Sequence, residues 1–397
     1  MAYLYHVDPY RRSFDSAVVR CEPLDGERMA VVLEDTCFYP GGGGQPCDLG
    51  TLDGLAVEEV FQKEEDGPVT HVLRASTPLT GRVHGEIDWA RRYDHMQQHT
   101  GQHLLSYAIS RRFGGYSLGL HVGAQDAYVD VRTELESVGP ELAAQLEADV
   151  DALVAADLPV HQFFPSQEEL AALPLRKAPP FHPHLRIVHC GPEAVACCGT
   201  HLSSTGQVRL VHLLGSARSH GNLRLFFLAG DRALRHARLC MAQAQAAAAG
   251  LSCGLGSLAE MVERLKAETQ AQRRDLASLK REQALARLRN AGALVLGGVR
   301  TVIETAEGLE PKQLQEAASA LLKEGAGLVC LAAPGERGVT AVVAADGPDA
   351  GAAFRALAGR FGGKGGGRRD FAQGLLQGFG RDDALACLDA WLGAAPH

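Results

Sequence analysis

The chain has no apolar run of about 18 residues, which excludes a membrane-spanning helix. Its first residues lack a signal-peptide core, because Asp8, Arg11 and Arg12 stand where an apolar stretch belongs. A cytoplasmic protein is expected, so the ten cysteines read as thiols or metal ligands rather than a disulfide framework. Positive charge is also short. Lys and Arg total 39 against 47 Asp and Glu, a net charge of −8 that looks wrong for a nucleic-acid binder. The distribution qualifies this. Residues 134–175 carry nine acidic side chains and no Lys or Arg, so the remainder is near neutral and leaves room for a cationic working face. Disorder is excluded by a composition that is 46% hydrophobic and 22% charged, and 397 residues predict two to four folding units.

Residues 1–88 read as β. Runs of β-formers (Ala17–Cys21, Met29–Leu33, Val57–Phe61, Thr70–Leu73, Gly81–Ile87) are split by Asp25-Gly26, Asp53-Gly54 and Asp66-Gly67, predicting a small antiparallel barrel. Arg91–Phe113 has helical periodicity, with Met96, Leu104, Leu105, Ala108 and Ile109 on one side. Glu141–Leu158 predicts a second helix, and residues 206–230 a strand pair. Within Arg232–Leu288, Leu258, Val262, Leu265, Leu276 and Leu279 mark a seam interrupted by Thr269 and Gln272, which fits a helical hairpin or a short coiled coil. Residues 291–397 alternate strand and helix patterns and form a separate α/β domain with a glycine-rich stretch near its end. The fold class is α+β: a barrel over 1–88, an α+β core over 89–235, a helical linker over 236–290 and a C-terminal α/β domain over 291–397.

Two patterns carry chemistry. In RRYDHMQQHTGQHLL, His99 and His103 are four apart on a predicted helix and share a face, with His95 one turn earlier. In ACCGTH, Cys197 and His201 are also four apart, on a predicted turn. Three imidazoles and one thiolate make a ligand set of the number and softness that one zinc ion prefers. A zinc protease is excluded, since Thr100 stands where its general base would follow His99. The stretch Phe361–Gly367 is neither a Walker A loop nor a dinucleotide fingerprint, because Ser/Thr and a third glycine are absent at the required places. Gly41–Gly44 precede Gln45 in a loop whose missing Cβ atoms let a ligand approach the backbone.

FYPGGGGQPCDLG, DHMQQHTGQHLLS, ACCGTH and GNLRLFFLAGDRAL resemble, in that order, the editing domain of alanyl-tRNA synthetase and its free-standing relatives, the AlaX proteins. GGKGGGRRDFAQG resembles the signature of the C-terminal C-Ala domain, so the three-part layout is similar to the long AlaX form. The chain opens on the barrel, and no aminoacylation core is expected. The resemblance implies hydrolysis of mischarged seryl-tRNA(Ala), and in some members glycyl-tRNA(Ala). It implies zinc ligands His99, His103, Cys197 and His201, with Gly42, Gly43, Gly44 and Gln45 at the 3′-terminal adenosine or the aminoacyl group. Cys198 stands where the family has glycine and is an alternative thiolate; Cys190 is a third. Gly41 stands where members often carry a side chain.

An aminoacyl ester is already activated, so positioning, an oriented water and oxyanion stabilisation suffice. His95, Gln98 and Gln102 are candidates for orienting water or ribose hydroxyls, and Thr200 for holding substrate or its own turn. Arg368 and Arg369, beside a glycine stretch read as a loop, are the first candidates for tRNA phosphates; Arg91, Arg92, Arg111, Arg112, Arg209, Arg218, Arg224 and Lys364 follow. The expected partner is mischarged tRNA(Ala), with no membrane; a homodimer through the linker or the C-terminal domain is a further expectation. The competing reading is a non-catalytic, zinc-stabilised tRNA-binding or dimerisation protein of the same fold.

Overall fold

A computed structural model describes the chain except residues 1–2, 65–66, 174, 176–178, 183–184, 291, 336 and 395–397, and the side chain at 289. Asp66 of the third turn cluster therefore lies outside the described residues. The chain forms two compact units, Met1–Ala246 and Ala247–His397.

The first unit opens with a short helix α1 (Leu4–Val7) and a closed antiparallel barrel. Its strands are β1 (Ser13–Asp25), β2 (Arg28–Leu33), β3 (Gly50–Leu52), β4 (Leu55–Gln62), β5 (Val69–Arg74) and β6 (Arg82–Ile87), arranged β1-β2-β5-β4-β3-β6 with β6 closing on β1. Alternation sets the inner face: Val83, Gly85 and Ile87 point inward from β6. Gly85 has to be small, because a Cβ there would lie 2.3 Å from the Phe14 ring that fills the barrel. The three-residue β3 is too short to leave a period in the sequence, and it escapes the pattern reading.

Helix α2 (Trp89–Phe113) follows directly. Asp88 caps it by accepting from the Arg91 N–H, and Gly114 ends it in a left-handed conformation. It packs on a sheet of order β12-β13-β8-β7, formed by β7 (Tyr116–Val122), β8 (Ala127–Arg132), β12 (Val211–Ser219) and β13 (Asn222–Ala229). Met96, Leu104, Leu105 and Ile109 meet Val129, Leu225 and Phe227 there. Gly101 permits the close approach: a Cβ would stand 2.6 Å from that of Ala229. Helix α3 (Pro140–Ala155), strand β9 (Val160–Phe163), helix α4 (Gln167–Ala172) and strands β10 (Ile187–Cys190) and β11 (Glu193–Ala196) complete the core, with the strands ordered β11-β10-β9. Helix α5 (Gly230–Gly250) leaves it.

A buried ion pair joins the barrel to α2. Arg92 on α2 is fully buried and holds Asp48 through Nε at 3.0 Å and through Nη2. Its other donors reach the carbonyls of Pro9 (2.8 Å) and Cys37 (2.6 Å). Arg92, an expected phosphate contact, is corrected here: it is a structural brace with no exposed surface.

The second unit begins within α5 and continues as α6 (Leu258–Asn290), whose seam residues Leu276 and Leu279 are 53% and 62% exposed. Its mixed sheet has the order β14-β15-β16-β17-β19-β18, from β14 (Leu294–Leu296), β15 (Val299–Thr305), β16 (Leu328–Gly335), β17 (Gly338–Ala345), β18 (Gly363–Gly367) and β19 (Phe371–Leu376). Helices α7 (Pro311–Lys323), α8 (Ala350–Phe361) and α9 (Arg381–Ala394) pack around it. The glycine stretch is a correction to the sequence reading. It is strand β18, paired antiparallel with β19, rather than a loop. Its glycines allow Phe354 of α8 to seat against the pair, since a Cβ at Gly365 would lie 2.6 Å from that ring. Arg368 and Arg369 lie exposed in the β18–β19 connection.

Candidate metal centre

Helical spacing alone stacks two imidazoles. His99 and His103 lie on successive turns of α2, ring centroids 5.1 Å apart and planes inclined by 12°. The turn after β11 brings the other pair: His201 lies 4.5 Å from His99 and 5.1 Å from His103, centroid to centroid. Cys197 Sγ is 3.2 Å from His99 Nε2 and 3.6 Å from His201 Nε2. One ligand atom from each of the four residues lies within 4.8 Å of the others, the only such group among the described residues. His201 Nδ1 is buried without a hydrogen-bond partner.

The electrostatics suit a cation. Burial, then the neighbouring His103 and Arg186, hold His99 well below the usual imidazole range, and burial followed by His99 does the same for His201. Both are therefore neutral ligands near pH 7. Burial and the adjacent Cys198 push the Cys197 thiol up to about 12, so an apo site keeps it protonated. Three imidazoles and a thiol in mutual reach fit a tetrahedral zinc ion, with Cys197 deprotonating as it ligates.

The barrel reaches this group through the glycine loop. Gly42 and Gln45 close a two-residue turn by paired backbone bonds of 3.0 and 2.9 Å, with Gly43 and Gly44 both at positive φ. Gly44 has no substitute: a Cβ would sit 1.6 Å from the Leu120 carbonyl oxygen. Gln45, expected at the ligand, is buried and works inside the protein. Its Oε1 accepts from His99 Nδ1 (2.8 Å) and from the Thr200 N–H (3.1 Å), and its Nε2 donates to Thr200 Oγ1 (2.8 Å). With the His99 proton fixed on Nδ1, Nε2 faces the thiol as a lone pair.

The other expected residues divide. Gln98 turns away from the cluster and pairs both ends of its amide with the Ala229 backbone, each at 2.8 Å. Gln102 donates to Ser106 and lines the cleft described below. His95 is buried one turn before His99, its Nδ1 has no partner, and burial followed by Arg91 holds it down to about 3. Thr200 is fully buried behind Gln45. Cys198 is exposed, 3.5 Å from the Cβ position of Gly43, and Cys190 is buried on β10, outside the four-residue group.

A cleft of about 630 Å³ opens on the cluster. His99, His103, Cys197 and Cys198 form one side, Tyr116, Leu118 and Leu120 of β7 another, and Gly43 an edge. Its described lining has no Asp or Glu. Arg186, just before β10, is the lining residue that sequence reasoning missed; its only signal was a charge inside the apolar run Leu185–Val188.

Comparison with known proteins gives the family. The model of the threonyl and alanyl tRNA synthetase second additional domain matches residues 185–226, and the DHHA1 domain matches residues 298–394. The alanyl-tRNA editing protein Aarsd1 of Mus musculus is 30% identical over 302 residues, which is 72% of each chain. The chain belongs to the alanyl-tRNA editing protein family. Aarsd1 of Danio rerio is 33% identical over 253 residues, 60% of each chain. This family member also aligns over 99% of its own length, at 32% identity, with an alanine–tRNA ligase of Natronomonas pharaonis, but spans only 43% of that ligase. Among solved structures, the C-Ala domain of Aquifex aeolicus alanyl-tRNA synthetase matches 26% of the chain and 98% of its own, with 23% identity and a TM-score of 0.24. Among the described residues no helix is long and apolar enough to cross a membrane.

Proposed function

We propose that this editing protein hydrolyses the ester of mischarged tRNA(Ala), chiefly seryl-tRNA(Ala). The observation that carries the reading is the convergence of four ligand atoms on the wall of a cleft of about 630 Å³, a size that accepts a terminal nucleoside with its aminoacyl group. The names of the Aarsd1 relatives support editing over a non-catalytic role. His99, His103, Cys197 and His201 would hold one zinc ion, which when bound supplies Lewis-acid polarisation at the ester. The protein's own groups do the rest. Gln45 keeps the His99 tautomer and the Thr200 turn in place. Gly43 offers backbone at the cleft edge, while Tyr116, Leu118 and Leu120 give an apolar wall for the adenine and help to exclude water. Gln102 is the lining amide placed to hold a hydroxyl or a water.

The four-part division at 1–88, 89–235, 236–290 and 291–397 belongs to this proposal, with Arg368 and Arg369 of the last part holding tRNA phosphates away from the 3′ end. So does a homodimer through α6, for which Leu276 and Leu279 offer apolar surface. The test is deacylation of seryl-tRNA(Ala), with alanyl-tRNA(Ala) as control, by the wild type and by His103→Ala. Loss of activity in a folded variant supports the reading. A zinc-loaded wild type that leaves every charged tRNA(Ala) intact refutes it.

A further inference from the structure

Arg186 is 4% exposed, and its guanidinium is only partly accounted for. Nη1 donates to the carbonyls of Cys197 (2.9 Å) and Gly199 (2.6 Å), holding the turn that carries the thiol and His201. Nε and Nη2, the two donors along its other edge, are buried and have no hydrogen-bond partner. No carboxylate pairs with it among the described residues, and none lines the cleft on which it borders. A buried cation without a counter-charge is expensive, by several kcal/mol in general. The metal does not relieve it. A zinc ion held by one thiolate and three neutral imidazoles keeps a surplus positive charge, and Arg186 adds to that surplus. The missing component is an anion. The paired Nε and Nη2 edge matches two oxygens of one group, the fork geometry that favours phosphate over a single carbonyl oxygen.

We propose that Arg186 holds an anionic phosphate in the cleft, which on the tRNA reading above is the 5′-phosphate of the terminal adenosine. The guanidinium then has two tasks. One edge fixes the Cys197–Gly199 carbonyls, and the other fixes the 3′ end relative to the metal ligands.

The probe is adenosine 5′-monophosphate against adenosine, titrated calorimetrically into the zinc-loaded full chain. The wild type is expected to prefer the monophosphate about 10- to 100-fold, the worth of a charge-assisted forked contact. Arg186→Gln should abolish the preference, and Arg186→Lys, with charge but no fork, should keep a part of it. Equal wild-type affinity for the two probes overturns the proposal whether or not either variant folds. A variant that loses zinc or thermal stability yet keeps the preference reduces Arg186 to a brace for the turn, and also overturns it. So does a fall in single-turnover rate with the preference intact, which would move the charge from the phosphate to the reacting carbonyl. If the preference disappears in Arg186→Gln but no charged tRNA is cleaved by the wild type, the phosphate site stands and the editing reading fails.

Discussion

Gln45 makes a sharp test of how the barrel and the helix jointly build the metal centre. Gln45→Ala removes one acceptor and one donor at a single buried point. His99 Nδ1–H, the Thr200 N–H and Thr200 Oγ1 all lose their partner, at 2.8, 3.1 and 2.8 Å respectively. Each buried group left unpaired costs about 1–3 kcal/mol of folding stability. The loss specific to the metal is separate. A ligating imidazole that loses the group fixing its tautomer typically weakens metal binding about 10- to 100-fold, or about 1.4–2.8 kcal/mol. Competition with a chromophoric chelator gives the zinc affinity, and urea unfolding of the apo protein gives the stability. Gln45→Glu is the companion variant, because it keeps the acceptor for His99 and Thr200 N–H and exchanges the donor to Thr200 Oγ1 for a carboxylate oxygen to which that hydroxyl can donate. Its zinc affinity should stay within a few-fold of wild type. If Gln45→Ala binds zinc within two-fold of wild type while folded, the brace from barrel to His99 is not functional and this account of the site is mistaken.

Further outcomes follow from the same geometry. Gly44→Ala should lower stability by roughly 2–4 kcal/mol in denaturant unfolding, since its Cβ would meet the Leu120 carbonyl at 1.6 Å with φ at +83°; an unchanged midpoint would contradict the packing. Arg92→Met alone leaves the Asp48 carboxylate buried and unpaired and should cost about 3–5 kcal/mol, whereas Arg92→Met with Asp48→Leu should recover most of it. Burial holds His71 down to about 4 in the folded chain, against 6.5 for a free imidazole. The unfolded chain therefore takes up the proton first as pH falls, and stability is lost from about pH 6.5 down to about 4, by roughly 2–3 kcal/mol at pH 4.5 from this group. A His71→Gln variant should show a shallower pH dependence in urea melts; an identical slope would show that the proton is taken up elsewhere. Replacing Arg368 and Arg369 together by Ala should weaken tRNA binding about ten-fold and flatten its salt dependence, with single-turnover cleavage at saturating enzyme nearly unchanged. An equal loss of rate and affinity would place them near the ester instead.

Local periodicity announced much of this protein. The strand runs of the barrel, the helix read over residues 91–113 and the four-residue spacing of His99 and His103 are properties of neighbours in the chain, so residue order was enough to write them down. The glycine run was legible as a ligand-contacting loop, but the packing that requires Gly44 was not: Gly44 yields to the Leu120 carbonyl, which comes from a strand more than seventy residues away. Where a polar side chain points is likewise a tertiary decision. Nothing in the order of residues separates Gln98, which pairs with the Ala229 backbone, from Gln102, which faces the cleft, although one helical turn divides them. Arg92 and Arg186 look like surface charges in the sequence, and only the packing around them shows one neutralised by Asp48 and the other buried without a counter-ion. The difference is physical. Periodicity is set by backbone geometry within a few residues, whereas burial, pairing and residual charge depend on which distant segments the fold brings into contact.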